Sequence, residues 1–172
     1  PYAASKLADE LFCGLFTLGF GLEAVSVRYF NVFGPRQSLE NQYAVVVPKF
    51  ITCLLRGESP PVYGDGKQSR DFTYVQNVVE ATILASQTPG IAGEVFNVAL
   101  GEEHSVLDLL GALNRIMRLS IPPAFQPPRP GDGLRTFADS SKAQRLLQWK
   151  GSVPFVEGLR RTVDWFRQHP PA

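Results

Sequence analysis

Tyr2 and Lys6 stand four residues apart, a spacing that sets both side chains on one face of a helix. A free phenol has a pKa near ~10 and is a poor base at neutral pH. An ammonium beside it stabilises the phenolate and lowers that value. Such a pair is a proton donor and acceptor of the kind that interconversion of a hydroxyl and a ketone needs. Two residues at this spacing also recur by chance on solvated helices, so the pair alone decides nothing.

Three further stretches carry candidate groups. Arg28-Tyr29-Phe30-Asn31 runs directly into Gly34-Pro35-Arg36, so Phe30 and Asn31 fall at the carboxyl end of a strand. Ligands of open α/β sheets collect there, although an ordinary strand end with a turn-forming Asn fits equally. Val62 to Val75 reads as a hairpin turning at Gly64-Asp65-Gly66, with Tyr63 on one arm and Arg70 on the other. An arginine fork binds phosphate in bidentate fashion, and an aromatic stacks on a base. A surface hairpin whose arginine pairs with Asp71 or Glu80 is the plainer alternative. Arg129-Pro130-Gly131-Asp132 offers a second phosphate ligand and a carboxylate for sugar hydroxyls, or else a solvated charge pair in a proline-rich connector. His104 and His169 lack neighbours at metal-ligand spacing and read as capping or surface residues. No Ser-His-Asp arrangement is visible, and no metal is expected.

The elements that must position these groups follow from periodicity. Residues 3–20 read as a helix with one apolar stripe of Leu7, Leu11, Leu15 and Leu18 and a second of Phe12 and Phe16, ended by Gly19 and Gly21. Two apolar faces call for burial on two sides, for example against a sheet and a partner subunit. Short strands are expected within 23–30, at 62–63, 69–75, 95–98 and 136–138. Helices are expected over 44–56, 76–86, from a Ser105/Asp108 capping box through Met117, to Leu147 from a cap at 139–141, and over 154–167 with Val156, Leu159, Val163 and Phe166 inward. Residues 120–133, with five prolines, read as an extended loop. Strands alternating with helices indicate an α/β chain.

With 172 residues, 44% of them hydrophobic, the chain is long enough for one well-packed domain. Its 17 basic and 16 acidic residues nearly cancel, and the basic ones are scattered, which argues against a nucleic-acid partner. Two cysteines do not make a disulfide framework, so a reducing, cytoplasmic setting is expected. The uncharged run Leu11 to Leu22 is too short and glycine-rich to span a bilayer, and no signal peptide is visible. The first residues already read as the inside of a helix, so the chain is expected to be a piece of a longer protein.

The order of the motifs is more specific than any one of them. Tyr2-x-x-x-Lys6 is followed by Arg28-Tyr-Phe-Asn-x-x-Gly-Pro-Arg-Gln37, Val46-x-Pro-Lys-Phe50 and Gly64-Asp-Gly-x-Gln-x-Arg-Asp-Phe72. Asn97-Val-x-x-Gly101, Arg129-Pro-Gly-Asp132 and Ala138-Asp-x-Ser-Lys-Ala143 complete the series. This succession resembles the extended short-chain dehydrogenase/reductases that act on nucleotide sugars, from Tyr2 to about Phe166. Within them, Glu40 to Phe50 is particularly similar to the UDP-N-acetylglucosamine 4-epimerases.

The resemblance implies an α/β fold: the C-terminal part of a Rossmann-type extended short-chain dehydrogenase with its smaller mixed α/β substrate-binding domain. Residues 1–32 would end the NAD-binding domain, and 33–172 would mainly form the nucleotide-sugar domain, with 76–100 a candidate return to the Rossmann sheet. Tyr2 would be the acid/base, Lys6 would tune it and hold the nicotinamide ribose, and Phe30 would lie by the nicotinamide. Asn31 would touch the substrate diphosphate, which Arg70 and Arg129 would grip. Val47 and Lys49 would line the uridine end, Tyr63 would pack near the uracil, and Asp132 would bind the ribose. Thr136, seven residues after Arg129, would line the sugar pocket, where a small residue admits a 2-acetamido group.

The implied activity is 4-epimerisation of a UDP-sugar by transient oxidation with NAD, in a full-length homodimer that also carries a glycine-rich loop upstream. A nucleotide-sugar 4,6-dehydratase and a UDP-glucuronate decarboxylase are the alternatives within the family. A non-catalytic nucleotide-sugar-binding module is the alternative outside it. Gln76-Asn77 stands where many members of the family carry two acidic residues.

Overall fold

Apolar periodicity and local capping fix most of the helices, and long-range pairing fixes the strands. The computed structural model describes residues 1–39, 46–129, 131 and 133–170. Helix α1 (Tyr2–Phe20) ends at Gly21, whose φ of 67° gives the left-handed cap that a glycine adopts without a Cβ penalty. Strand β1 (Ser26–Tyr29) and the two-residue β2 (Val32–Phe33) follow, then α2 (Val46–Leu55). Next come β3 (Pro61–Tyr63), β4 (Ser69–Arg70), β5 (Thr73–Tyr74), α3 (Val75–Gln87) and β6 (Val95–Val98). The rest is β7 (His104–Ser105), α4 (Val106–Met117), β8 (Ala124–Gln126), β9 (Arg135–Thr136), α5 (Ser141–Leu146) and α6 (Phe155–Gln168).

The strands pair in four small groups: β1 with β6, β2 with β5, β3 with β8, and β4 between β7 and β9. All pairings are parallel except β4 with β7. The expected hairpin over 62–75 therefore does not form. The Gly64-Asp65-Gly66 turn is present, but β3 takes its partner from β8 and β4 takes its partners from β7 and β9. The expected strand 69–75 is broken in two at Asp71-Phe72, and the proline-rich 120–133 stretch contributes β8 to a sheet.

Two apolar clusters form the interior. One gathers α2, α4 and α6 around Phe33, Phe72, Tyr74 and Phe155. Phe72 and Phe155 stack at 5.7 Å, with Phe33 edge-on to each at 6.4 and 5.9 Å. The other joins α3, β6 and α5 through Ala81, Phe96, Ala143 and Trp149. The Ser105 capping box forms as the sequence indicates, with the Ser105 hydroxyl accepting from Asp108 N and the Asp108 carboxylate accepting from Ser105 N. In α6, Leu159, Val163 and Phe166 are buried, but Val156 is 46% exposed. Helix α6 turns the ring of Tyr74 against Gly158 instead.

Among the described residues neither apolar stripe of α1 is covered, and no residue of that helix is buried. The side that leans on the rest of the molecule is its small and polar one, Cys13, Gly14 and Thr17 with Glu10. There the Arg28 guanidinium of β1 donates to both Glu10 carboxylate oxygens at 2.7 and 2.6 Å. Among the described residues, no helix is long and apolar enough to cross a membrane.

Candidate active site

At the carboxyl end of β1 the chain passes through Phe30, half-buried, into Asn31, whose φ of 35° lies in the left-handed region. Asparagine tolerates that region better than most residues. Two hydrogen bonds hold it there. The Asn31 amide donates to the Asp71 carbonyl at 3.3 Å, and the Asn31 carbonyl accepts from Thr73 N at 3.3 Å. Asn31 is thus fastened to the break between β4 and β5, one residue beyond Arg70.

The β4 strand sets Arg70 in register with Thr136 on one side and His104 on the other. Paired positions place their side chains on the same face of a sheet. Asp71 N donates to the Thr136 carbonyl at 2.9 Å and continues the ladder. An Arg70 guanidinium nitrogen donates to the Ser69 carbonyl at 2.7 Å, which folds that side chain back along its own strand. His104 is half-buried and stacks on Phe155 at 4.0 Å, so it is a packing residue rather than a cap or a surface group.

Asp71 is fully buried. Its two carboxylate oxygens accept from Leu100 N at 3.1 Å and Gly101 N at 3.0 Å, and Ala138 N donates to it as well. Burial pushes its carboxyl above the usual range, and these backbone donors pull part of the way back. The sequence suggests Asp71 only as an ion partner for Arg70. A lone carboxylate before the run Phe72-Thr73-Tyr74 is the signal that was there to be used, since a buried carboxylate needs built-in partners. Glu80, the other suggested partner, instead accepts from Ser152 Oγ at 2.8 Å and from Gln76.

A second group lies at β3 and β8. The Arg129 guanidinium sits 3.7 Å over the Tyr63 ring, which joins two residues that the sequence separates widely. Cation–π contact at this range holds an arginine in place while leaving its N–H groups available to an anion. Asp132 lies outside the described residues, as do Glu40 to Val45, which open the stretch most similar to the UDP-N-acetylglucosamine epimerases.

Val47 and Lys49 are not brought together. Val47 is 2% exposed in the core. Lys49 lines a cleft of about 370 Å³ with Leu39, Thr52, Cys53, Arg56 and Glu58. Tyr2 and Lys6 lie one turn apart on α1, both exposed. The Lys6 ammonium donates to Asp9 at 2.8 Å. That contact, with a smaller attraction from Tyr2, holds its pKa above the ordinary value.

The NAD dependent epimerase/dehydratase family description matches residues 1–99, more than half of the chain. The chain belongs to that family, and its α/β fold is the C-terminal part of a Rossmann-type extended short-chain dehydrogenase. It is 36% identical over 167 residues to a UDP-glucose 4-epimerase from Mycolicibacterium smegmatis, covering 97% of this chain and 53% of that protein. It also superimposes on a UDP-N-acetylglucosamine 4-epimerase from Methanobrevibacter ruminantium M1, solved with UDP-N-acetylmuramic acid. That likeness has a TM-score of 0.92 and 42% identity, covering 98% of this chain and 54% of the other. A UDP-glucose 4-epimerase from Thermotoga maritima, solved with UDP-glucose, gives a TM-score of 0.94 at 37% identity, covering 99% and 54%. Other similar proteins include a UDP-N-acetyl-alpha-D-glucosaminuronate decarboxylase and a dTDP-D-glucose 4,6-dehydratase, and one epimerase solved with NAD. The chain spans about half the length of the curated relatives it matches.

Proposed function

We propose that the protein carrying this chain is an NAD-dependent 4-epimerase of a UDP-sugar. The observation that carries this reading is the ladder from Asn31 through Asp71 to Thr136, which gathers Asn31, Arg70 and Thr136 beyond the end of β1. A diphosphate needs the donors of Asn31 and Arg70, and a sugar attached to it would extend toward a small side chain such as Thr136. Arg129, resting on Tyr63, supplies a second guanidinium for the diphosphate beside an aromatic for the uracil. Asp132, Val47 and Lys49 complete the proposed uridine end, Val47 through its backbone because its side chain is in the core.

Tyr2, Lys6 and Phe30 fit the nicotinamide end of NAD. An exposed phenol and ammonium share one helix face, and a half-buried aromatic stands at the end of β1. NAD, when bound, takes and returns a hydride at carbon 4 of the sugar. Tyr2 accepts the proton of the 4-hydroxyl through its phenolic oxygen and later gives it back. Lys6 holds the nicotinamide ribose and favours the phenolate. Arg70 and Arg129 keep the diphosphate anchored while the sugar turns to present its other face. The second interior cluster supports grouping residues 76–100 with 1–32 in a cofactor part, and it draws α5 and Trp149 of the remainder to the same side. Homodimeric assembly and a cytoplasmic location belong to the same reading.

The finer substrate reading rests on Thr136. It is half-buried in register with Arg70 and small enough to leave room for a 2-acetamido group. UDP-N-acetylglucosamine and UDP-N-acetylgalactosamine are then substrates beside the plain hexoses.

Tyr2→Phe in the intact protein tests the reaction. Removing one hydroxyl is expected to cut epimerisation by ~10²–10⁴-fold, the usual share of a general acid/base, with UDP-sugar affinity almost unchanged. Near-normal turnover would remove Tyr2 from the chemistry. Release of carbon dioxide or loss of water from the sugar by the wild type would point to a decarboxylase or dehydratase instead.

A further inference from the structure

Asp71 touches the segments that carry Asn31, Arg70 and Thr136, yet its own carboxylate is held by other segments. Its carbonyl holds the Asn31 amide, its N–H holds the Thr136 carbonyl, and Arg70 is the preceding residue. The carboxylate is anchored on the opposite side by Leu100 N, Gly101 N and Ala138 N. Leu100 and Gly101 directly follow β6, the strand paired with β1, and Ala138 follows β9. One buried side chain therefore ties the β6 end to the strand break that sets Asn31, Arg70 and Thr136.

We propose that Asp71 is a positioning residue for UDP-sugar binding: its carboxylate clamp on the 100–101 backbone fixes Asn31, Arg70 and Thr136 relative to one another. The inference rests on the UDP-sugar reading above. Among the described residues backbone groups contribute all the partners of the carboxylate, so the clamp works with an acceptor at both oxygens. An amide of the same size turns one acceptor into a donor facing an N–H group, and a buried N–H left unpaired forces the segment to shift. A shift of about 1 Å in a positioned group is enough to cost ~10²-fold in function. A side chain that served stability alone would lower the folded fraction and leave the affinity of the remaining molecules untouched.

The test is Asp71→Asn in the intact protein, with UDP as the probe and Arg70→Ala alongside for scale. UDP affinity, measured by calorimetry against the folded fraction, is expected to fall about tenfold or more, the size of losing one charge-assisted hydrogen bond. KM for the UDP-sugar should rise more than kcat falls. Unchanged UDP affinity in a folded Asp71→Asn protein overturns the inference and leaves the UDP-sugar reading standing. A wild type without UDP affinity overturns that reading, and the inference with it. If the variant does not fold, hydrogen exchange of the wild type decides. Saturating UDP should slow the Leu100, Gly101 and Asp71 amides beyond any change in α4, because coupling between ligand and clamp is reciprocal. No added protection at those amides overturns the inference.

Discussion

Thr136 sits in register with Arg70, and its carbonyl is held by Asp71 N, so its side chain has a fixed station. Replacing it by tyrosine would fill whatever space lies before it. Overfilling a packed site costs about 1–3 kcal/mol. Thr136→Tyr is therefore expected to depress turnover of UDP-N-acetylglucosamine by roughly tenfold or more and to spare UDP-glucose, when both are assayed on the intact protein. Equal losses on the two sugars would remove Thr136 as the gate. At this scale the sequence was most legible where chemistry repeats as a motif. Asn31, Arg70 and Thr136 were chosen from separate stretches, and the fold joins them. Tyr63 and Arg129, 66 positions apart in the chain, meet ring to guanidinium. Val47 turns its side chain into the core, so only its backbone is available to the proposed uridine end. The motif does not say which face of a helix is buried. Asp71 was passed over because its partners are main-chain groups, which residue types do not reveal.

Helix α3 shows what a change of residue type does to an element. Asn77 is fully buried near its start. Its amide donates to the Val153 carbonyl at 2.8 Å and accepts from Val153 N at 2.9 Å, while its own carbonyl accepts from Trp149 Nε1 at 3.0 Å. An amide both gives and takes at one backbone residue, which an ionised carboxylate cannot do. Gln76 similarly accepts from Arg161 and donates to Glu80. Asn77→Asp loses the donor and buries a charge, so it should destabilise the protein by about 2–3 kcal/mol, read as a lower urea midpoint. An unchanged midpoint would mean that the 149–153 segment is held without Asn77. Helix existence was legible throughout because 3.6-residue periodicity and caps are local. Strand partners were not. Glycines at 64 and 66 have φ of 69° and 74° and do turn the chain. A Cβ on Gly66 would come within 2.7 Å of Leu107, so the turn packs against α4 rather than closing a hairpin.

Across the whole molecule, acid should act on many carboxylates at once. Glu10 is held below its ordinary range by Arg28, Glu103 by Arg135 and then Ser69, and Asp108 by the Ser105 hydroxyl. Asp139 is lowered by Ser141 N and Glu157 by Arg161. A carboxylate with a depressed folded-state pKa contributes stability that is complete above the unfolded value of about 4 and disappears as pH falls through the folded one. Asp71 runs the other way, since its raised value favours the folded state as it takes up a proton. Five groups against one make the direction clear. The urea midpoint of the intact protein should fall steadily between about pH 5 and 3, and less steeply in high salt, because most of these pairs are exposed. A midpoint that holds or rises over that range would contradict this balance.

The pairing of β1 with β6 has a consequence for how the chain is made. Ser26 meets Val95 and Tyr29 meets Val98, partners about seventy positions apart, and no strand among the described residues pairs with the strand next to it in sequence. Translation adds roughly 5–20 residues per second, so β1 leaves the ribosome roughly 3–14 s before its partner exists. Through that interval Val25 and Val27 lack the partners that Phe96 and α3 bring to them within this chain. An unpaired apolar strand is a template for the wrong neighbour. The pace of translation between residues 30 and 95 therefore sets how long β1 waits for β6.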